Sequence, residues 1–202
     1  MLLFAVAAPI PCLAQGAAAP ADPEKPAGAL NELLAPIRER QKLPALAAGL
    51  VRGSRLAAWG VVGVRSVGDE TPARLDDRFH LGSCGKSMTA TLCARLVERG
   101  VLRWDTTIGE ALPQLAPEIH PDFRGVTLEQ LLCHRSGLPE DRRPTPLLWK
   151  LRGLKGPLPE QRVEMVRLVL KPPPATKPGT TFAYANYGYA VAGAMVEAAT
   201  GD

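Results

Sequence analysis

The stretch that decides the fold reads Phe79-His80-Leu81-Gly82-Ser83-Cys84-Gly85-Lys86-Ser87, at the entry to a helix with periodic apolar residues. Ser83 and Lys86 are three positions apart, so they lie on one face of that helix within reach of each other. A serine hydroxyl is a weak nucleophile at neutral pH and needs an adjacent base, which a lysine can supply. The spacing therefore predicts a nucleophilic serine that works without a histidine.

The position of Ser83 at a helix entry strengthens this prediction. A Ser-x-x-Lys match is expected about once by chance in a chain of this length, so the match alone carries little weight. At a helix entry, however, backbone N–H groups and the positive end of the helix dipole favour negative charge that develops beside the serine. Cys84 is rotated by about 100° from Ser83 and faces away from Lys86, so we do not expect a thiol nucleophile.

Two further motifs follow along the chain. Residues 131–139 read Leu-Leu-Cys-His-Arg-Ser-Gly-Leu-Pro, and their glycine and proline indicate a turn. We expect His134 to fix this loop through hydrogen bonds. Pro178-Gly179 predicts a second turn, and Tyr184-Ala185-Asn186 follows it. Each motif alone is usually a local structural device, so the weight lies in their joint occurrence in this order.

Together, the three motifs resemble those of the serine β-lactamase and penicillin-binding-protein superfamily, in its branch of class C β-lactamases, D-Ala-D-Ala carboxypeptidases and esterases. The resemblance covers residues 30–202. It implies an α+β fold of the β-lactamase/transpeptidase type, in which a helical subdomain lies beside an antiparallel sheet, with only the N-terminal strands present. It also implies a serine hydrolase that forms an acyl-enzyme on a β-lactam, a D-Ala-D-Ala peptide or a small ester.

The resemblance implies a role for each of four residues. Ser83 attacks the substrate carbonyl, and Lys86 holds or accepts the serine proton. Tyr184 passes the proton to the leaving group and later activates water, for which its pKa must lie well below the ordinary value of about 10. Asn186 hydrogen-bonds the amide carbonyl of the substrate, and the backbone N–H of Ser83 forms half of the oxyanion hole.

One motif of the superfamily is absent from the sequence. Members carry Lys-Thr-Gly or His-x-Gly on a strand well after Tyr-x-Asn, and that strand supplies the second oxyanion donor. Lys177-Pro178-Gly179 precedes Tyr184 and cannot replace it. Because loss of one oxyanion donor costs about 10²–10³ in rate in a serine protease, we expect a fragment of a longer enzyme that is impaired alone. The alternative is a non-catalytic binding or regulatory module with a penicillin-binding-protein fold.

Composition argues against several other classes. Charges of both signs are mixed, and the formal net charge is only +4. No phosphate loop, dinucleotide fingerprint or zinc spacing occurs, so the sequence implies no cofactor and no metal. We expect a small-molecule or peptide substrate and no nucleic acid, and the oligomeric state stays open. The clustered basic residues lack interleaved aromatic residues, so we interpret them as a solvated face, with binding of an acidic partner as the lesser alternative. They are Arg142, Arg143, Lys150, Arg152 and Lys155.

The N-terminal residues 1–14 form an apolar run that ends in Cys12-Leu13-Ala14, which resembles a signal-peptidase site. The run lacks a basic start, since the first basic residue is Lys25, and it is too short for a spanning helix, which needs about 20 residues. We expect an atypical signal peptide over 1–14, an Ala/Pro linker over 15–26 and an incomplete hydrolase domain over 27–202. Export to the periplasm or the medium follows from this assignment.

The spacing of apolar residues and the positions of glycine and proline predict the helices and strands of that domain. An amphipathic helix over 27–41 opens it, and a hairpin with strands at 45–51 and 56–64 follows. A helix begins at Ser83, and Thr127 opens another through a capping box with Gln130. Further helices are predicted over 159–170 and 188–199.

Apolar side chains on the helix from Ser83 predict which face it buries. The predicted buried stripe consists of Met88, Leu92, Leu96 and Val97. Three cysteines remain after signal-peptide removal, and they show no metal-ligand spacing. We therefore interpret Cys93 and Cys133 as small buried hydrophobic residues.

Overall fold

The computed structural model describes residues 29–141 and 146–201. These residues form two compact units, one that ends at His80 and one that begins at Leu81. The predicted signal peptide and linker lie outside the described residues, as do Arg142 and Arg143 of the basic cluster. The assignment of 1–14, 15–26 and 27–202 to separate regions stays a prediction.

The first unit is a helix packed on a β-hairpin. Helix α1, Asn31–Gln41, is followed by Lys42 in the left-handed region at a φ of 52°. Strands β1, Ala45–Arg52, and β2, Arg55–Gly63, pair antiparallel, so the predicted hairpin is confirmed. The connection has two residues, and Gly53 adopts a φ of 62° there, as the first position of such a turn requires.

The second unit is helical. Its α-helices are α2 Gly85–Glu98, α3 Ile108–Ala111, α4 Pro121–Arg124, α5 Leu128–Leu132, α6 Pro146–Arg152, α7 Leu158–Leu170 and α8 Asn186–Thr200. Short 3-10 turns over Gly82–Cys84 and Pro113–Leu115 precede α2 and follow α3. The sequence predicted α2, α5, α7 and α8. It missed α3, α4 and α6, because helices of four to seven residues are too short to show a full apolar period.

Helix α5 begins with the capping box that the sequence predicted. The Thr127 hydroxyl accepts a hydrogen bond from the Gln130 N–H at 3.2 Å, and the Gln130 amide oxygen accepts one from the Thr127 N–H at 3.1 Å. The two side chains thus satisfy backbone donors that a helix start leaves unpaired. Helix α5 then ends at Leu132 and leads directly into the loop that carries His134.

A large part of the core of the second unit lies between α5, α7 and α8. Leu131, Val166, Val191 and Met195 are fully buried there. Gly188 lets α8 approach α5 closely, because a Cβ at this position would lie 3.1 Å from the Leu131 carbonyl oxygen. Burial of each large apolar side chain stabilises the fold by about 1.5–3 kcal/mol. Within the described residues, none of the helices combines the length and the hydropathy needed to cross a membrane.

Two predictions about buried residues are wrong. On α2, Leu96 is buried as expected, but Met88 and Leu92 are 63% and 49% exposed, and Cys93 is fully buried instead. The buried face is therefore rotated, since each helical residue turns by about 100°. Cys133 is exposed at the C-cap position of α5, where the helix has already ended.

The packing of α5 against α8 predicts the stability of the second unit. Leu131→Ala removes a fully buried side chain, so we expect the free energy of unfolding to fall by about 2–5 kcal/mol. Leu158→Ala is the matched control, since Leu158 is 70% exposed and should change it by about 0.5 kcal/mol or less. Urea denaturation of both variants measures the difference. Equal effects of the two substitutions would contradict this packing.

Candidate active site

Ser83 lies in the 3-10 turn that runs directly into α2, so the regular α-helix begins at Gly85, two residues later than the start at Ser83 that the sequence predicted. Its hydroxyl is exposed. The Lys86 ammonium comes from the first turn of α2 and donates a hydrogen bond to the Ser83 oxygen at 3.3 Å. The structure therefore brings together the two groups that the sequence placed on one helix face.

Tyr184 approaches the same serine from the segment that precedes α8. Its phenolic oxygen lies 2.7 Å from the Ser83 oxygen and donates a hydrogen bond to it. The Ser83 oxygen thus accepts hydrogen bonds from both Lys86 and Tyr184. Because both partners of this contact are hydroxyl groups, the proton can lie on either oxygen, and an ionised Tyr184 would accept the serine proton along the same line.

Asn186 is the first residue of α8, two residues earlier than the sequence predicted for the helix start. Its side-chain oxygen accepts a hydrogen bond from the Lys86 ammonium at 2.5 Å. Lys86 consequently bridges Ser83 and Asn186, which are far apart in sequence. All four residues predicted from the motifs, Ser83, Lys86, Tyr184 and Asn186, meet within the second unit.

Charge and hydrogen bonding around Tyr184 favour its ionised form. The hydrogen bond with Lys86 is the largest cause that lowers the pKa of Tyr184, followed by the hydrogen bond with Ser83. Partial burial and the Asp141 carboxylate act in the opposite direction, but the pKa still lies below its ordinary value. By contrast, burial raises the pKa of Tyr189, so the neighbouring tyrosine is kept neutral. The site therefore favours ionisation of Tyr184 over that of Tyr189.

His134 holds the segment around Tyr184 through hydrogen bonds and a ring contact. Its backbone oxygen accepts a hydrogen bond from Ala183 N–H at 2.9 Å, and its Nδ1 accepts one from Ala185 N–H at 3.2 Å. Its ring packs on the Tyr184 ring with centroids 4.4 Å apart. The expectation that His134 fixes this loop through hydrogen bonds is confirmed, and the contacts clamp the backbone on both sides of the tyrosine.

The turn at Pro178-Gly179 leads the chain into the segment around Tyr184 that His134 holds. Thr180 N–H donates to the Lys177 carbonyl at 3.2 Å, and Gly179 adopts a φ of 83°, as the third residue of a type II turn requires. Gly179 N–H in turn donates to the Arg135 carbonyl at 2.7 Å. The predicted turn thus exists, and it is tied to the loop after α5.

Asp141 belongs to the site, and the sequence analysis missed it. One carboxylate oxygen accepts from the Asn186 backbone N–H at 2.8 Å and from the Asn186 side-chain nitrogen at 2.9 Å. The other oxygen accepts from Tyr187 N–H at 2.9 Å. The signal in the sequence was indirect: Ala185, at the N-cap of α8, has no side-chain oxygen with which to cap the helix.

The described residues offer no metal site, since no three His, Cys, Asp or Glu side chains in 29–141 and 146–201 converge on one point. Three residues of the basic cluster, Lys150, Arg152 and Lys155, are exposed. The polar groups of the site itself are a serine hydroxyl with a lysine ammonium and a tyrosine hydroxyl beside it.

The fold and the site define a class of protein, and comparison with known families agrees. The chain belongs to the Beta-lactamase family, whose model matches residues 30–202. This places it in the serine β-lactamase and penicillin-binding-protein superfamily. The α+β prediction is also confirmed, because the described helices and two-stranded antiparallel sheet match part of the β-lactamase/transpeptidase-like fold.

Individual proteins that are similar to this chain belong to the same superfamily by their names. Penicillin-binding protein 4 of Amycolatopsis lactamdurans is 32% identical over 140 residues, which are 69% of this chain and 34% of that protein. The D-alanine carboxypeptidase AmpC of Burkholderia cenocepacia aligns with a TM-score of 0.62 at 25% identity, over 86% of this chain and 43% of that one. An octameric penicillin-binding protein homologue from Pyrococcus abyssi aligns with a TM-score of 0.63 at 25% identity, over 85% and 39% of the two chains. The chain spans about a third of the length of two curated relatives that it matches at 32% and 30% identity.

The hydrogen bond between Lys86 and Tyr184 predicts a measurable titration. Lys86→Met removes the group that contributes most to lowering the pKa of Tyr184, so the phenolate is disfavoured and the pKa rises towards about 10. The phenolate then forms at higher pH than in the wild type. The chain has three tyrosines, so NMR of ¹³Cζ-labelled tyrosine gives three resonances that Tyr→Phe variants assign. Lys171→Met is the control, because Lys171 is exposed at the end of α7. An unchanged Tyr184 titration in Lys86→Met would contradict this account of the site.

Proposed function

We propose that this chain carries the nucleophile and the proton-transfer groups of a serine hydrolase that works through an acyl-enzyme. The observation that supports the proposal most strongly is the geometry at one atom. The Ser83 oxygen lies 3.3 Å from the Lys86 nitrogen and 2.7 Å from the Tyr184 oxygen. A serine so placed has both a cation that stabilises its alkoxide and a group that can take its proton.

In the proposed acylation, ionised Tyr184 accepts the proton of Ser83 while the serine oxygen attacks the carbonyl carbon of the substrate. The resulting oxyanion faces the backbone N–H of Ser83 near the start of α2, where the helix dipole favours negative charge. When this intermediate collapses, the carbonyl carbon loses the amine or alcohol, and Tyr184 returns the proton to that leaving group. The product is an ester between Ser83 and the acyl group.

Deacylation uses the same groups in reverse. Tyr184, again ionised, removes a proton from water as the water oxygen attacks the ester carbon of acylated Ser83. Collapse of the second intermediate releases the carboxylic acid and returns the proton to the Ser83 oxygen. The positive charge of Lys86 favours each anionic species that forms at Ser83 or Tyr184. The lowered pKa of Tyr184 suits a group that must both take and give a proton.

We propose a β-lactam, a D-Ala-D-Ala peptide or a small ester as the substrate class. The names of the relatives support the first two, since one is a penicillin-binding protein and another a D-alanine carboxypeptidase. The exposed side chains of Ser83 and Asn186 support access for an extended substrate. Export is part of the same proposal, and it is supported by the sequence of residues 1–14.

Covalent labelling tests the proposed nucleophile without requiring turnover. We expect prolonged incubation with a fluorophosphonate to add one phosphonyl group at Ser83, found by mass spectrometry of peptides. Ser83→Ala should lose the adduct, because the Ser83 hydroxyl is the group that lies beside both Lys86 and Tyr184. Ser87→Ala is the matched control: Ser87 is exposed on the next turn and hydrogen-bonds the Cys84 carbonyl, so labelling should persist.

Three results would contradict the proposed nucleophile. Labelling at another residue, or undiminished labelling of Ser83→Ala, would show that the nucleophile lies elsewhere. Absence of any adduct in the folded wild-type chain would favour the non-catalytic binding module instead.

A further inference from the structure

We infer that Asp141 is a positioning residue of this site, which holds the side-chain amide of Asn186 in the single orientation that serves both Lys86 and the substrate. The inference rests on the proposed function, because it concerns the same four residues. Its evidence is separate, since it depends on hydrogen bonds that the proposed mechanism does not use.

The argument begins with the two groups on either side of the Asn186 amide. An ionised carboxylate can only accept hydrogen bonds, and an ammonium can only donate them. The Asn186 nitrogen lies 2.9 Å from the Asp141 carboxylate, and the Asn186 oxygen lies 2.5 Å from the Lys86 nitrogen. A flipped amide would set oxygen against the carboxylate and nitrogen against the ammonium, so both charge-assisted hydrogen bonds would be lost. Asp141 and Lys86 together therefore permit one orientation.

That orientation determines what Asn186 can offer to a ligand. A side-chain amide nitrogen carries two hydrogens, and one of them is donated to Asp141. The second hydrogen lies on an exposed residue and has no acceptor among the described residues, so it can be donated to a carbonyl oxygen of a bound substrate. Recognition of an amide carbonyl next to the scissile bond thus depends on Asp141 through Asn186.

Asp141 also holds the backbone on both sides of the active-site segment. Its carboxylate accepts hydrogen bonds from the first two backbone N–H groups of α8, those of Asn186 and Tyr187. A carboxylate is stabilised at a helix N-terminus by the helix dipole. In addition, Asp141 N–H donates to the Tyr184 carbonyl at 3.3 Å. One residue therefore fixes Tyr184, Asn186 and the start of α8 relative to the loop that follows Pro139.

A double-mutant cycle separates the effect through the Asn186 side chain from the effect on the helix. Asn186→Ala removes the side-chain amide but leaves the backbone N–H groups that donate hydrogen bonds to the Asp141 carboxylate. We expect Asp141→Ala to slow the acylation of Ser83 by a fluorescent penicillin, whose side chain carries an amide carbonyl, by about tenfold to a hundredfold. In the Asn186→Ala background, the same substitution should change the rate by about twofold or less. Glu129→Ala is the control, because Glu129 is an exposed carboxylate on α5.

Unfolding measurements on the same four proteins keep the inference testable whatever the penicillin does. Asp141→Ala should lower the midpoint of urea denaturation more in the wild type than in Asn186→Ala, because only the wild type has the side-chain hydrogen bond to lose. Asp141→Asn should fall between wild type and Asp141→Ala, since it keeps one acceptor oxygen.

Equal losses of midpoint in both backgrounds would overturn the inference, because they would mean that Asp141 acts through the backbone alone. Multiplicative losses in the acylation rate would overturn it as well. Failure of the proposed function is distinguishable from these results: Ser83→Ala would then retain its adduct, whereas the coupling of Asp141 with Asn186 in the unfolding data would remain.

Discussion

The site depends on the hydrogen bonds that the Lys86 ammonium group donates. This group reaches the Ser83 oxygen within its own helical turn and the Asn186 oxygen at the start of α8, so it joins two segments that are 100 residues apart in sequence. A lysine has only donors, and each of its partners here supplies an oxygen. The same charge lowers the pKa of Tyr184, which completes the set of groups around the serine. Loss of this cation would remove its hydrogen bonds to Ser83 and Asn186 together with the largest cause of the lowered pKa of Tyr184.

The packing of the second unit brings the starts of two helices to one place. Gly188 allows α8 to approach α5, and the loop after α5 carries His134, which clamps the chain around Tyr184. Asp141, which is far from α8 in sequence, then caps that helix. Ser83 and Asn186 are exposed and Lys86 and Tyr184 are half-buried, but the backbone that carries them is attached to a buried core. This arrangement suits a site that must hold its geometry while a substrate enters and leaves.

The sequence predicted the parts of this arrangement that local spacing controls. The pairing of Ser83 with Lys86 follows from helix periodicity, the capping box at Thr127 follows from its residue types, and the hairpin follows from the turn at Gly53. The role of Asp141 could not be predicted, because it caps a helix that begins 45 residues later. The buried face of α2 was also misjudged, since Met88 and Leu92 are as apolar as the residues that the second unit covers. Which apolar face is covered depends on tertiary packing that periodicity alone does not specify.

The central claim is that Lys86 and Tyr184 act on Ser83 as one unit. The most direct test is a cycle of four proteins, namely the wild type, Lys86→Met, Tyr184→Phe and the double variant, with the rate of Ser83 phosphonylation measured in each. Residues that work as a unit are strongly non-additive, so the double variant should react little more slowly than the slower single variant. Independent losses, in which the double variant is slower by the product of the two single effects, would contradict the claim.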